Sequence, residues 1–194
     1  MKLPAITSAL VVFSVLITSA ISADIVEEID ETQARIEFAR VLRAENQWNE
    51  AIENYRKVLA VQPENYEVAA ELAQTLAWNK QPEAAEKILA DIPEEHRTSA
   101  AIEVAIDIDI RENRMDAAEQ KIRQLLAIEE TDPLRFRLAS VLSWTKKYDE
   151  STKIFADLVE RNPSDVQLRR RYAQVLGWAG KSSEASEQWK RSLE

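Results

Sequence analysis

The side chains that could do chemistry are few. Glu103, Asp107 and Asp109 set three carboxylates close together in IEVAIDIDI, a grouping that invites comparison with an acid–base pair or a calcium loop. A calcium loop needs oxygen ligands at close alternating spacing and a glycine at the bend, and this stretch supplies neither. His96, in PEEHRTS beside Glu94 and Glu95, is the chain's single imidazole, and nothing in the sequence gathers around it to make a base or a metal ligand. The absence of Cys removes disulfides, thiol nucleophiles and Cys-ligated zinc. Two glycines are too few for a phosphate-cradling loop. A formal charge of −9 is the wrong sign for gripping a nucleic-acid backbone. The exclusions leave no catalytic, cofactor or metal site to assign. They direct attention to binding surfaces.

The elements that would position such a surface begin after residue 23. Lys2 precedes an uncharged stretch from Leu3 to Ala23 with its apolar centre at Leu10–Ile17, and small residues cluster at Thr18–Ala20 and Ser22–Ala23. A positive start, a short apolar block and a small-residue exit make a signal peptide. Cleavage after Ala23 is expected, with Ala20 as the competing point. An uncleaved inner-membrane anchor is the alternative, because the run is long enough to span about 30 Å of hydrocarbon. Either way the chain is expected to be exported to a periplasmic or extracytoplasmic site, and a membrane contact is expected only if the segment stays attached.

The remainder repeats itself. Trp144 and Trp178 lie 34 residues apart, inside LASVLSWTKKYDES and YAQVLGWAGKSSEA, and LAQTLAWNKQPEAA carries the same pattern around Trp78. A degenerate copy, RENRMDAA, falls between. Five units follow: 32–65, 66–98, 99–131, 132–165 and 166–194, with 24–31 (DIVEEIDE from Asp24) as an extension of the first helix. Each unit reads as two helices. Apolar residues at helical spacing, such as Leu138, Val141 and Leu142, mark the first. Asn46, Asn113 and Gly180 close it in three units, since they tolerate the left-handed backbone. Ala51, Ala85, Ala118 and Ala185, with Ser151 in the fourth unit, mark a close approach in the second helix. Four residues later stand Tyr55, Leu89, Ile122, Phe155 and Trp189. Pro63 and Pro163 end second helices, whereas Pro82 and Pro133 suit a first turn. The alternation in IEVAIDIDI suggests a strand in isolation, but a lone strand among helices has no partner, so a helix is expected there.

These registers resemble the tetratricopeptide repeat over 32–194: the small residue of the first helix (Ala39, Ala73, Ala139, Ala173), the second-helix Ala, the later aromatic, and the Pro before the next unit. The third unit departs, with Ile106 and Glu130 at the small and Pro positions. The resemblance implies an all-α, right-handed solenoid of about five helix–turn–helix units with a concave groove lined by the first helices. It implies a non-enzymatic protein–protein scaffold with no cofactor, which the signal peptide would place in the cell envelope. LAWNK, LSWTK and LGWAG are also similar to repeats of envelope proteins that assist polysaccharide export.

On that geometry the groove presents Trp78, Trp144 and Trp178 as apolar anchors for a protein partner, or as platforms for a polysaccharide. Each indole could equally be packed against its neighbour. Glu37, Glu67, Glu71, Glu103 and Asp107 fall in the early units, and Arg137, Arg170 and Arg171, with Arg135 and Arg169 nearby, in the late ones. Such a dipolar groove would fix the polarity of a bound segment. Trp48 and Trp189 are expected to be structural. Ala185, Trp189 and Leu193 leave the last second helix with an uncovered side, so a homo-oligomer through the C-terminal unit is a further expectation.

Overall fold

The computed structural model describes residues 30–194. The signal peptide expected at 1–23 and residues 24–29 of the expected extension lie outside the described residues. Ten α-helices follow in five antiparallel pairs: α1 (Glu31–Ala44) and α2 (Trp48–Val61), α3 (Tyr66–Trp78) and α4 (Pro82–Ala90), α5 (Ser99–Arg111) and α6 (Met115–Ile128), α7 (Asp132–Trp144) and α8 (Tyr148–Arg161), α9 (Val166–Trp178) and α10 (Ser182–Arg191). We call the first helix of each pair A and the second B. No strand occurs among the described residues, and none of their helices is long and apolar enough to cross a membrane.

The two kinds of helix start differently. Every A helix has a side-chain cap: Asp30, Asn65, Thr98, Thr131 and Asp165 each accept a backbone N–H three residues on. Asp30 therefore caps α1 with an extended backbone instead of continuing it. No B helix has such a cap. Each emerges from a tight turn whose residue has positive φ: Asn46, Lys80, Asn113, Lys146 and Gly180. The next N–H in each case reaches back five residues, as from Gln47 to Leu42 O (2.8 Å) and from Lys181 to Leu176 O (2.9 Å). This is the helix-ending arrangement in which a left-handed residue lets the chain satisfy its own orphan carbonyls. Two lysines hold a place suited to Gly or Asn.

Packing follows the repeat register. Ala39, Ala73, Ala139 and Ala173 in A helices are inaccessible to solvent, as are Ala51, Ala85, Ala118 and Ser151 in B helices. At these points a larger side chain would hold the helices apart. Tyr55, Ile122 and Phe155 fill the space beside them. Trp189 shares their register but is 44% exposed, a departure from its expected structural role. The A helix of a following pair covers Tyr55 and Phe155, and among the described residues no helix follows α10.

The alternating stretch is helical, as α5. Its apolar residues wrap around the helix because α5 is buried on two sides. Val104 and Ile108 join the core with α3, while Ile106 joins α6 and α7. Beside it, α4 stops after nine residues where α2, α6 and α8 each run for 14. A short 3-10 turn, Glu94–His96, replaces the missing length. The shortfall opens a cleft of ≈ 540 Å³ between α4, α5 and α6, walled by Leu89, Ile102, Ala105 and Ile128.

Candidate functional site

The A helices meet side by side on the face away from their B partners. On α3 that face carries Glu67, Glu71, Gln74 and Trp78, and on α9 Gln167, Arg171, Gln174 and Trp178. Intervals of four, three and four residues keep one stripe along a helix. Bonds between successive A helices run across it: Arg40 of α1 to Glu67 and Glu71, Arg111 of α5 to the Ala77 carbonyl, Arg137 of α7 to Asp107, and Arg171 of α9 over the ring of Trp144.

At the N-terminal end the charges neutralise one another. Glu71 lies 2.5 Å from Arg40 and 3.5 Å from Arg43, and the Tyr55 hydroxyl donates to it at 2.7 Å. Only 16% of its side chain is exposed. Burial pushes its carboxyl up, but the hydrogen bonds from Arg40 and Tyr55 and the charges of Arg40 and Arg43 outweigh that and hold it below the usual carboxylate range. Tyr55 is pushed up by burial and by its bond to that carboxylate. Arg40 also takes Glu37 at 2.8 Å. Arg43 completes the group by lying 5.7 Å from the centroid of Trp78, which also meets Trp48 in a T-shaped contact with ring centroids 5.5 Å apart. The acidic half of the dipole expected from sequence is thus largely satisfied within the protein.

The tryptophans are neither free nor buried. Trp78 is 40% exposed, and Trp144 and Trp178 are each 45% exposed. They end their helices in one register, and the third pair places Arg111 there.

The expected arginines separate. Arg137 is engaged by Asp107. Arg135 turns to Asp157 of α8 at 2.7 Å, and Arg169 to Gln188 of α10 at 3.0 Å. Arg170, expected beside Arg171, instead points toward the end of α10 and reaches Ser192 O at 3.5 Å. Consecutive helical residues diverge by about 100°, so a run of three arginines cannot share one face. Of that run Arg171 alone stays on the A-helix face, 5.8 Å from the centroid of Trp144 and 5.1 Å from that of Trp178. Burial lowers its pKa.

The carboxylates near the middle separate in the same way. Asp107 faces Arg137, while Asp109 is buried on the other side and held by Arg114 at 2.8 Å and Lys121 at 2.5 Å. Among the described residues no three of His, Cys, Asp or Glu are grouped to hold a metal ion. His96 is exposed and stacks on Tyr66 at 4.7 Å. Arg40 and Arg43, which organise the N-terminal end, were not among the residues singled out from sequence. Their signal was the spacing from Glu37 to Arg40 and the recurrence of that stripe one repeat later.

Residues 42–106 match the tetratricopeptide repeat family. No curated protein matches the chain. Among solved structures, the chain is similar to MamA 41-end from Desulfovibrio magneticus RS-1, at 10% identity and a TM-score of 0.74 over 84% of this chain and 94% of that one. It is similar to the Podosopora anserina putative kinesin light chain nearly identical TPR-like repeats, at 18% identity and a TM-score of 0.71 over 86% and 95%. It is also similar to YrrB, a TPR protein with an unusual peptide-binding site, at 15% identity and a TM-score of 0.66 over 91% and 90%.

Proposed function

We propose that this tetratricopeptide-repeat protein is a non-enzymatic scaffold that docks a segment of a partner protein along its A-helix face. The observation that carries the reading is the set of half-exposed indoles, Trp78, Trp144 and Trp178, held in one register by a stack of packed helices. Side chains fixed in advance lose little freedom on binding, so more of the contact energy appears as affinity. The peptide-binding site of the similar YrrB supports the same reading. A saccharide would need open ring faces, and the Arg171 guanidinium already covers one face of both Trp144 and Trp178. The protein reading is therefore favoured over the glycan one. An exported, envelope location is part of the proposal and rests on the order of residues in 1–23 alone.

A photo-crosslinking amino acid at Gln174, on the A-helix face, and at Lys153, on the exposed side of α8, tests this in cells. Protein adducts from position 174 and not from 153 support docking on the A-helix face. Adducts from 153 alone overturn it.

A second reading has its own observation. Trp189 of α10 and Leu193 just after it are both exposed, at 44% and 81%, which suits self-association through α10. Light scattering of the protein and of Trp189→Glu decides it: an oligomer lost in the variant supports self-assembly, and a monomer in both removes it.

A further inference from the structure

The two ends of the A-helix face carry one register position with opposite charge. Glu71 of α3 and Arg171 of α9 each stand seven residues before the tryptophan that ends their helix. At the first end the preceding helix sends Arg40 and Arg43 onto Glu71, and Arg43 lies against Trp78. Carboxylate, guanidinium and indole form a closed unit there. At the last end the guanidinium and the indoles are present without the carboxylate. Ser140 and Ser143, both buried, hold the places of Arg40 and Arg43. Arg171 donates to Gln174 at 2.7 Å, and among the described residues no carboxylate lies within ion-pair distance of it. A guanidinium carries five N–H donors in a rigid fork, so most of its capacity is left for an incoming acceptor.

We propose that Arg171, held between Trp144 and Trp178, receives a single carboxylate from the docked segment: an Asp or Glu side chain followed or preceded by an apolar residue that covers the indoles. The proposal deepens the docking reading and rests on it. Charge complementarity selects that occupant. The protein's own first junction also pairs a carboxylate with guanidinium beside an indole, with the two partners on opposite helices, as Glu71 meets Arg40 and Arg43 and Arg43 lies against Trp78. Because Arg40, Arg43 and Arg137 already have acidic partners and Arg111 is held by the Ala77 carbonyl, the site reads one acid and not an acidic run. The flanking indoles keep the guanidinium partly dry, which strengthens a charge-assisted bond to it.

Randomised nine-residue peptides displayed on phage, panned in parallel on the protein and on Arg171→Gln, test this. The expected result is that binders of the protein share an Asp or Glu at one position. A synthetic binder should lose about tenfold in affinity on Arg171→Gln. Replacing its acid by the matching amide should cost the same, and the two losses should not add, because they report one contact. The peptide-side replacement carries the test even if the variant fails to fold. Binders without a shared acid, bound equally by Arg171→Gln, overturn the carboxylate site and leave docking standing. No binder to either protein overturns both.

Discussion

The hydroxyl of Tyr55 in α2 donates a 2.7 Å hydrogen bond to the carboxylate of Glu71 in α3, joining a fully buried aromatic of the first pair to the charged face of the second. Tyr55, Arg40 and Arg43 all converge on that one acceptor, although Arg40 also holds Glu37 and Glu67 and Arg43 donates to Gln74. Glu71→Ala is expected to cost about 2–3 kcal/mol, because it strands the buried Tyr55 hydroxyl and takes the least exposed acidic partner from Arg40 and Arg43. Urea unfolding of the variant measures it.

The same carboxyl gives stability a pH dependence. Its pKa is held down in the folded protein, so as pH falls the unfolded chain takes up the proton first. Its contribution is complete above about pH 4.3, the ordinary value for Glu, and is lost as pH drops through the lower folded value. Between about pH 6 and about pH 3, the native protein is expected to lose more unfolding free energy than Glu71→Gln, which has no proton to take up. Parallel urea titrations across that window check the difference.

Phe155 and Trp189 stand in one register of the repeat, and only the first is covered. Phe155→Ala is expected to cost about 3–5 kcal/mol through the cavity it leaves. Trp189→Ala should cost under about 1.5 kcal/mol, since much of its ring is already in water. Equal losses in thermal unfolding would show that α10 is covered in solution.

Lys80 and Lys146 occupy left-handed turns, at φ 59 and 63. An L side chain there costs about 1–2 kcal/mol, partly offset by the greater freedom glycine has when unfolded. Lys80→Gly and Lys146→Gly should each stabilise the protein by about 0.5–1 kcal/mol, and additively, since the turns lie in different pairs. Gly180→Ala should do the reverse. Denaturant midpoints for the three variants and the double variant settle the sign.

Much of the architecture was legible from the chain because each repeat restates the same few steric demands. The small residues at 39, 73, 139 and 173 and the turn residues at 46, 113 and 180 announce themselves by spacing alone. Lys80 and Lys146 did not, because lysine has no preference for a left-handed turn and the surrounding helices impose one. The period-two run at 102–110 reads as a strand in isolation, and its helix was legible only from the lack of a partner strand; the alternation itself comes from α5 being buried on two sides. The candidate site was less legible. The tryptophans and Arg171 could be placed on the A-helix face from their register. Whether an arginine is engaged depends on residues about 30 positions away: Arg40 with Glu71, Arg137 with Asp107. The divergence of Arg169, Arg170 and Arg171 is simple helical geometry, and their adjacency in sequence concealed it.

The early stop of α4 has a consequence for how the molecule comes apart. In a stacked array each unit is held mainly by its neighbours, so the weakest junction decides where cooperativity breaks. The open cleft beside α4 makes the junction between the second and third pairs that fault line. The protein is therefore expected to unfold as two blocks, α1–α4 and α5–α10, of unequal endurance. Hydrogen exchange should show two tiers of protection that change over at residues 91–98, with the longer block opening last. A single tier across all ten helices would mean that the core residues Val104 and Ile108, lodged against α3, bind the two blocks into one.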